Sequence, residues 1–376
     1  MAIATVTRPC YCTREEVMRA LDIKPAAYTA PQIDRKLVAA AGAVDGMCKR
    51  KFYPEDTTYV FDWPNYQYAY PWRLWLDQYE MAAQPTLVVS GTYLDTPVVI
   101  PTGTYFMDPI NEGPPYNSLQ LRRDLNSSFG NNTTPQNDIG ITGTFGFWTN
   151  TTPCGPIAAA ITSTTQNTVQ MAAGPLAGAG VGDVLIIGSE RMLVTDCNYI
   201  STGIATTGSG GNSAQNNDNT LTVPDGTQFS ASEILLLDSE WMLIQTIYGN
   251  NIVVKRGWGG SVLTTHNNPT IWANRLLSVN RGVLGTSPST YTQGTQASIS
   301  EVPGLVKDVA IATAVIGITN EPSAYAILVP TYNSQTGSAM NFLGSNAEAA
   351  PGVGYQGLLQ LLGDSIYVRK LRTRVI

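Results

Sequence analysis

Read as a string of apolar and polar positions, the chain opens with helical spacing. Thr13 and Glu16 are separated as in a capping box, and Val17, Ala20 and Leu21 follow on one helical face. A second helix is predicted from Pro31, because Ile33, Leu37, Ala40, Ala41, Val44, Met47 and Cys48 recur at helical spacing up to Lys49-Arg50-Lys51. That cationic end suits the helix dipole, and Phe52-Tyr53-Pro54 stops the helix. The period then shortens, with strand-like runs at Thr86–Val89, Pro97–Ile100, Tyr105–Met107, Leu119–Leu121 and Ile139–Gly146. Nine aromatics crowd the stretch from Tyr59 to Tyr79: Tyr59, Phe61, Trp63, Tyr66, Tyr68, Tyr70, Trp72, Trp75 and Tyr79. Such clusters bind sugars or stack bases in some proteins, but a core or a subunit interface is the commoner use.

Between Thr149 and Glu301 short β-branched runs alternate with Gly-, Thr-, Ser- and Asn-rich turns, which predicts an all-β region. It contains an internal repeat. The segment from Gly182 to Leu193 matches the segment from Ser232 to Leu243 at an offset of 50 residues, and each copy reads as a hairpin turning at Gly188-Ser189 or Asp238-Ser239. Two similar β modules in tandem are expected, with a mobile loop at Thr207–Asn219 between them. A weaker echo sets Arg256-Gly257 and Gly260 against Arg281-Gly282 and Gly285, offset by 25. Arg-Gly pairs occur in RNA-binding tails, yet each pair here follows a β run, which favours a glycine turn after a strand.

After Val302-Pro303 the helical period returns with Leu305, Val309, Ala312 and Ile316. Val306, Ala310, Ile311 and Val315 fill the other faces, so this helix needs burial on several sides. The last stretch is Gly-rich, then carries Leu358, Leu359, Leu361 and Leu362, and ends in Arg369, Lys370, Arg372 and Arg374 interleaved with Val368, Leu371 and Val375. We expect residues 326–376 to be a docking tail in which Leu358, Leu361, Leu362, Arg369, Lys370, Leu371, Arg372 and Arg374 bind a partner: disordered alone, ordered against an acidic groove. A solvated, frayed end is the plainer alternative.

Composition narrows the function. With 376 residues and 43% hydrophobic positions the chain can bury two or three cores. Charged residues make up only 13%, against roughly a quarter in average soluble proteins, and the net charge is −6 from 22 Lys+Arg and 28 Asp+Glu. A large phosphate-gripping face, and with it sequence-specific DNA binding, is therefore disfavoured. No apolar run has the length of a signal peptide or membrane span, so no membrane partner and synthesis in the cytoplasm are expected. Five scattered cysteines, Cys10, Cys12, Cys48, Cys154 and Cys197, argue for free thiols. Cys10 and Cys12 would need two more ligands to hold a metal, and the single histidine, His266, is distant in sequence.

No motif for catalysis or for a nucleotide cofactor stands out. His266 lies in a Gly/Asn-rich loop without a nucleophile signature, so a Ser-His-Asp or Cys-His site is disfavoured. Glu190 and Glu240 hold equivalent repeat positions and suggest the carboxylate pair of a glycosidase, but beside hairpin turns they are expected to be solvated. Neither a catalytic residue, a metal nor a cofactor is assigned.

Several motifs fall in an order that resembles the head-to-tail connector (adaptor) proteins of tailed double-stranded-DNA phages. They are Cys12-Thr13-Arg14-Glu15-Glu16-Val17, the Ile33–Cys48 helix running into Lys51-Phe52-Tyr53-Pro54, and Phe61-Asp62-Trp63-Pro64. Asp108-Pro109, Gly113-Pro114-Pro115-Tyr116, Ile141-Thr142-Gly143-Thr144-Phe145-Gly146 and the helix start Val302-Pro303-Gly304-Leu305 continue the series. The resemblance covers residues 10–148 and 302–325. It departs from the smaller members in the roughly 150 residues inserted between these stretches and in the long C-terminal tail. It implies a small helical connector core with a β sub-region (1–148) and a helix completing that core (302–325); with the all-β texture and repeat read above, the expected fold is α+β, with an independently folded all-β domain of two similar modules (149–301) inserted in the core. It also implies a homo-oligomeric ring, commonly of twelve subunits, in the virion neck. Such a ring contacts the portal protein and the next neck or tail component, and DNA passes non-specifically through a lumen that an acidic chain would keep from sticking. A carbohydrate- or receptor-binding virion protein is the competing expectation, drawn from the β modules and the aromatic cluster.

Overall fold

The computed structural model describes residues 6–21, 28–63, 72–94, 96–125, 128–129, 135–173, 178–208, 213, 215, 217–319, 354–365 and 367–368. The protein is mixed α and β, with strands predominating and four α-helices among the described residues. These are α1 (Arg14–Leu21), α2 (Ala30–Cys48), α3 (Gly304–Thr319) and α4 (Gly354–Asp364). The capping box forms reciprocally, Glu16 N–H donating to Thr13 Oγ1 at 3.1 Å and Thr13 N–H to Glu16 Oε2 at 3.0 Å. Along α2 the residues Ile33, Leu37, Ala40, Ala41, Val44 and Cys48 are buried, as their spacing requires.

The chain divides into two compact units. The smaller comprises residues 44–150, 284–286 and 362–376. One of its sheets has the order β1 (Glu55–Phe61), β7 (Ile139–Phe145), β3 (Leu87–Ser90), β4 (Val98–Val99), antiparallel throughout. The other sets β6 (Ser118–Leu121) between β2 (Arg73–Trp75) and β5 (Tyr105–Asp108). Leu74, Leu76, Met81, Leu119, Ile139 and Ile141 form its core, and Tyr59, Phe61, Trp63, Trp72 and Tyr79 pack on or within it. The aromatic cluster is thus core material where it is described. Tyr66, Tyr68 and Tyr70 lie outside the described residues.

The larger unit comprises residues 1–43, 151–283 and 287–361. Sequence texture sets a boundary near Thr149, whereas compactness groups α1 and most of α2 with the β region that follows. The bonds responsible are backbone pairs from Cys10 N–H to Gly182 O and from Arg14 N–H to Val181 O, both 3.0 Å. The Arg14 guanidinium adds ion pairs to Asp34 and Asp196, and Lys307 of α3 pairs with Glu16.

Ten strands build this unit's sheet in the order β12 (Thr220–Thr222), β15 (Asn251–Lys255), β14 (Glu240–Tyr248), β13 (Ile234–Leu237), β16 (Thr270–Asn280), β11 (Glu190–Ala205), β10 (Val184–Ile187), β17 (Gln296–Ser300), β8 (Thr151–Pro156). β9 (Thr168–Gln170) pairs separately with β16. The sequence repeat appears as two hairpins in matching register, β10–β11 and β13–β14. Gly188 (φ 60°) and Asp238 (φ 51°) adopt the left-handed conformation that a two-residue hairpin turn demands. Buried residues correspond one to one across two clusters: Val169, Leu185, Ile187, Met192, Val194, Leu277 and Val279 in one, Leu221, Leu235, Leu237, Met242, Ile244, Ile252 and Val254 in the other. The third strand of the first set is the end of β16, which comes after the whole second set in sequence. The second repeat is therefore nested inside the first, where tandem order was expected, and this is why the offset falls from 50 in the hairpins to 25 in the closing strands.

Candidate functional site: two caged carboxylates

Each hairpin places a glutamate at the first position after its turn, with the side chain pointing inward. Glu190 and Glu240 are fully buried, which corrects the expectation of solvated side chains. Burial is tolerated because each carboxylate is completely bonded. Arg281 meets Glu190 through Nε to Oε1 and Nη2 to Oε2, both 2.6 Å, while Gly282 N–H and Ser289 N–H donate at 3.2 and 2.9 Å. Arg256 meets Glu240 in the same fashion at 2.9 and 2.6 Å, with Gly257 N–H and Thr264 N–H each at 3.0 Å. Glutamate, Arg-Gly pair and loop donor correspond throughout, so the two echoes in the sequence are halves of one device.

The guanidiniums also organise the loops around them. Arg281 donates to the carbonyls of Ser163, Gln166 and Ser289, and Arg256 to those of Ser213, Asp218 and Thr264. Ser213 and Asp218 belong to the stretch expected to be a mobile loop, so its described part is anchored. Gly257 (φ 61°) and Gly282 (φ 63°) supply the left-handed turn that lets the chain double back, as expected of a glycine after a strand. Burial alone would raise both glutamate pKa values, but the bidentate arginine and the two N–H donors hold them below the ordinary carboxylate range. A glycosidase acid needs a raised pKa and an accessible proton, and these carboxylates have neither.

The two cages differ in one place. Beside Glu240, His266 is buried with Nδ1 2.7 Å from Asp238 Oδ2 and Nε2 3.1 Å from Glu240 Oε2; Thr264 Oγ1 is 3.4 Å from Nε2. Asp238, His266 and a hydroxyl are thus brought together, a grouping that no local motif announces. Glu240 competes for Nε2, which a hydrolytic triad would reserve for its nucleophile. In the other cage Tyr291 takes the histidine's place and Gly188 takes that of Asp238; a Cβ on Gly188 would stand 3.1 Å from the Tyr291 ring.

A cleft of about 180 Å³ in the larger unit is lined by Glu15, Glu16, Asp183, Glu233, Arg275 and Lys307 among others. Glu16 pairs with Lys307 at 2.9 Å and Glu233 with Arg275 at 2.5 Å. Asp183 accepts from Gly180 N–H at 2.9 Å, and burial pushes its pKa up to about 7. Burial likewise raises Glu15. Among the described residues no group of three or more His, Cys, Asp or Glu is placed to hold a metal ion. Burial pushes the thiols of Cys10 and Cys154 up to about 12 and Cys48 to about 11, and it also raises Cys12 and Cys197, so none is an activated nucleophile.

Of the expected partner-binding residues, Leu358 is partly buried, Leu361 is half-exposed and Leu362 is buried. Arg369, Lys370, Leu371, Arg372 and Arg374 lie outside the described residues. No described helix is long and apolar enough to cross a membrane. No protein-family model matches the chain, and no curated protein or solved structure matches it.

Proposed function

We propose that this chain is a structural subunit of a phage head-to-tail connector. It would assemble into a ring, commonly of twelve copies, that joins the portal to the next neck or tail component in the virion and lets DNA pass through its lumen without catalysis. In this reading the smaller unit and the helices are the connector core, and the nested β repeats are an elaboration inserted into it. The observation that carries the proposal is α3. Its Val306, Val309, Ala310, Ala314 and Ile318 are buried on one side, while Leu305, Ile311, Ala312, Val315 and Ile316 are only partly covered. A helix apolar on both faces calls for neighbours, and a ring built by heterologous contacts supplies them. The caged glutamates support the non-catalytic part, because the most conspicuous carboxylates hold loops in place.

The test is co-sedimentation with purified portal protein. The full chain should travel with the portal, and a chain lacking residues 365–376 should keep its circular dichroism spectrum and lose the attachment. Undiminished attachment of the truncated chain would remove the C-terminal segment from the proposal, and failure of the full chain to bind would remove the portal. A receptor-binding role would draw on Trp272 and Tyr248, 43% and 68% exposed. No ring contact joins them among the described residues, and glycan-array binding that is lost in Trp272→Ala would favour that role.

A further inference from the structure

The turn that leads into each hairpin is also built twice. Gly180 N–H donates to the Asp183 carboxylate at 2.9 Å, and Ser230 N–H donates to the Glu233 carboxylate at 3.1 Å, at the same offset of 50 residues that relates the hairpins. The backbone bonds behind the turns match as well, Val194 N–H to Asp183 O at 3.0 Å and Ile244 N–H to Glu233 O at 2.9 Å. What each carboxylate meets differs. Glu233 is closed by Arg275, which bonds its carboxylate, donates to Gln228 O and lies 5.7 Å from the Phe229 ring. In the first repeat Gly178 stands for Gln228, Ala179 for Phe229 and Asp183 for Glu233. The strand that supplies the arginine changes too. Leu235 faces Ala273 as Leu185 faces Ile299, so Arg275 corresponds to Glu301, an exposed carboxylate. The first repeat thus has the turn without the guanidinium or the ring beside it.

What stands in their place is open space. Gly178, Ala179, Gly180, Asp183 and Ile299 all line the cleft of about 180 Å³. Asp183 is 7% exposed, and its carboxylate takes one hydrogen bond and no ion pair among the described residues, although a carboxylate can accept about four. Most other charges at the cleft are engaged: Glu16 holds Lys307, Glu233 holds Arg275 and Glu15 accepts from Val181 N–H, while Arg19 is exposed. The volume is below the roughly 300 Å³ at which small-molecule pockets begin, and it suits the head of one side chain.

We propose that this cleft is an arginine seat filled from a second copy of the chain, by a guanidinium of the C-terminal segment that carries Arg369, Arg372 and Arg374. That segment is the cationic end of the chain: with Lys370 it holds four cations, and no acid follows Asp364. The docked guanidinium bonds Asp183 and the Gly178 carbonyl, as Arg275 bonds Glu233 and the Gln228 carbonyl within the chain. Tail and seat are different surfaces and each copy offers one of each, so the contact is heterologous and repeats from copy to copy until a ring closes. This inference rests on the ring reading and names the contact that builds the ring.

Sedimentation velocity on the full chain tests the seat. The native chain is compared with Asp183→Asn, with Ala179→Phe, which restores the ring found in the second repeat, and with a triple variant in which Arg369, Arg372 and Arg374 are each changed to Gln. Each variant should weaken self-association roughly tenfold or more, as loss of a buried charge-assisted pair does. Asp183→Asn keeps an acceptor for Gly180 N–H, so its circular dichroism spectrum should match the native one while its association falls. The decisive arm mixes the Ala179→Phe chain, which has a tail and no seat, with the triple variant, which has a seat and no tail. At a concentration where neither assembles alone, the two should form pairs that grow no further. Native-sized assemblies from all three variants, or a mixture without pairs, would overturn the seat and leave the ring itself standing. A native chain that stays a single copy at every concentration, and also beside the portal, would overturn both.

Discussion

The surroundings of Glu190 and Glu240 are the same cage built twice, closed by tyrosine and glycine in one case and by histidine and aspartate in the other. What stays constant is what the fold needs: a buried carboxylate, a bidentate guanidinium and two backbone donors that tie a distant loop to a hairpin. What varies is the lid and the loop tip, and there the two copies have room to acquire separate roles. The carboxylates are scaffold, and the two loops diverge at their tips.

The largest effect is expected at the part that both cages share. Glu190→Ala or Glu240→Ala strands a buried arginine, and each is expected to lower stability by about 3–5 kcal/mol in denaturant unfolding. A loss near zero for either would mean that the cage holds nothing. Since both carboxylates sit below their ordinary pKa, their contribution is present above the unfolded value and lost as the pH falls through the folded one.

Asp183 has the opposite sign. Its carboxyl titrates at about 7 in the fold against an ordinary 3.8, so its contribution is complete below 3.8 and disappears as the pH rises through 7. At 1.36 kcal/mol per unit this amounts to at most about 4 kcal/mol. Asp183→Asn keeps an acceptor for Gly180 N–H and should flatten the stability profile between pH 4 and 8, raising stability at the upper end. Unfolding curves across that range check it, and an unchanged slope would contradict the assignment.

A finer probe exchanges the lids. His266→Tyr and Asp238→Gly should each destabilise the second repeat, and together they should show a favourable coupling of about 0.5–3 kcal/mol, since the pair reproduces the lid found over Glu190. A double-mutant cycle on thermal unfolding gives the coupling, and additivity would show that the lids are not interchangeable units. The smallest expected effect is on thiol chemistry: with every cysteine raised by burial, folded protein should react with a thiol reagent far more slowly than unfolded protein.

Local features were legible in the sequence. The capping box at Thr13 and Glu16, the stripe along α2, most strand runs and the two hairpins follow from spacing alone. The joining of the Glu and Arg-Gly echoes was not, because Arg256 follows Glu240 closely while Arg281 is separated from Glu190 by the whole nested repeat. The drop in offset from 50 to 25 was the available signal for nesting, since tandem copies would keep one offset. Burial of Glu190 and Glu240 is not legible, because a charge beside a turn is usually solvated and only pairing across the chain overrides that rule. The grouping of α1 with the β region rests on backbone bonds to Val181 and Gly182, and no local pattern encodes them.

Electron-microscope imaging of the purified chain, alone and mixed with portal protein, separates a ring from a single copy. A connector subunit gives closed rings around a channel that seat coaxially on the portal; isolated single copies that ignore the portal would rule the ring out.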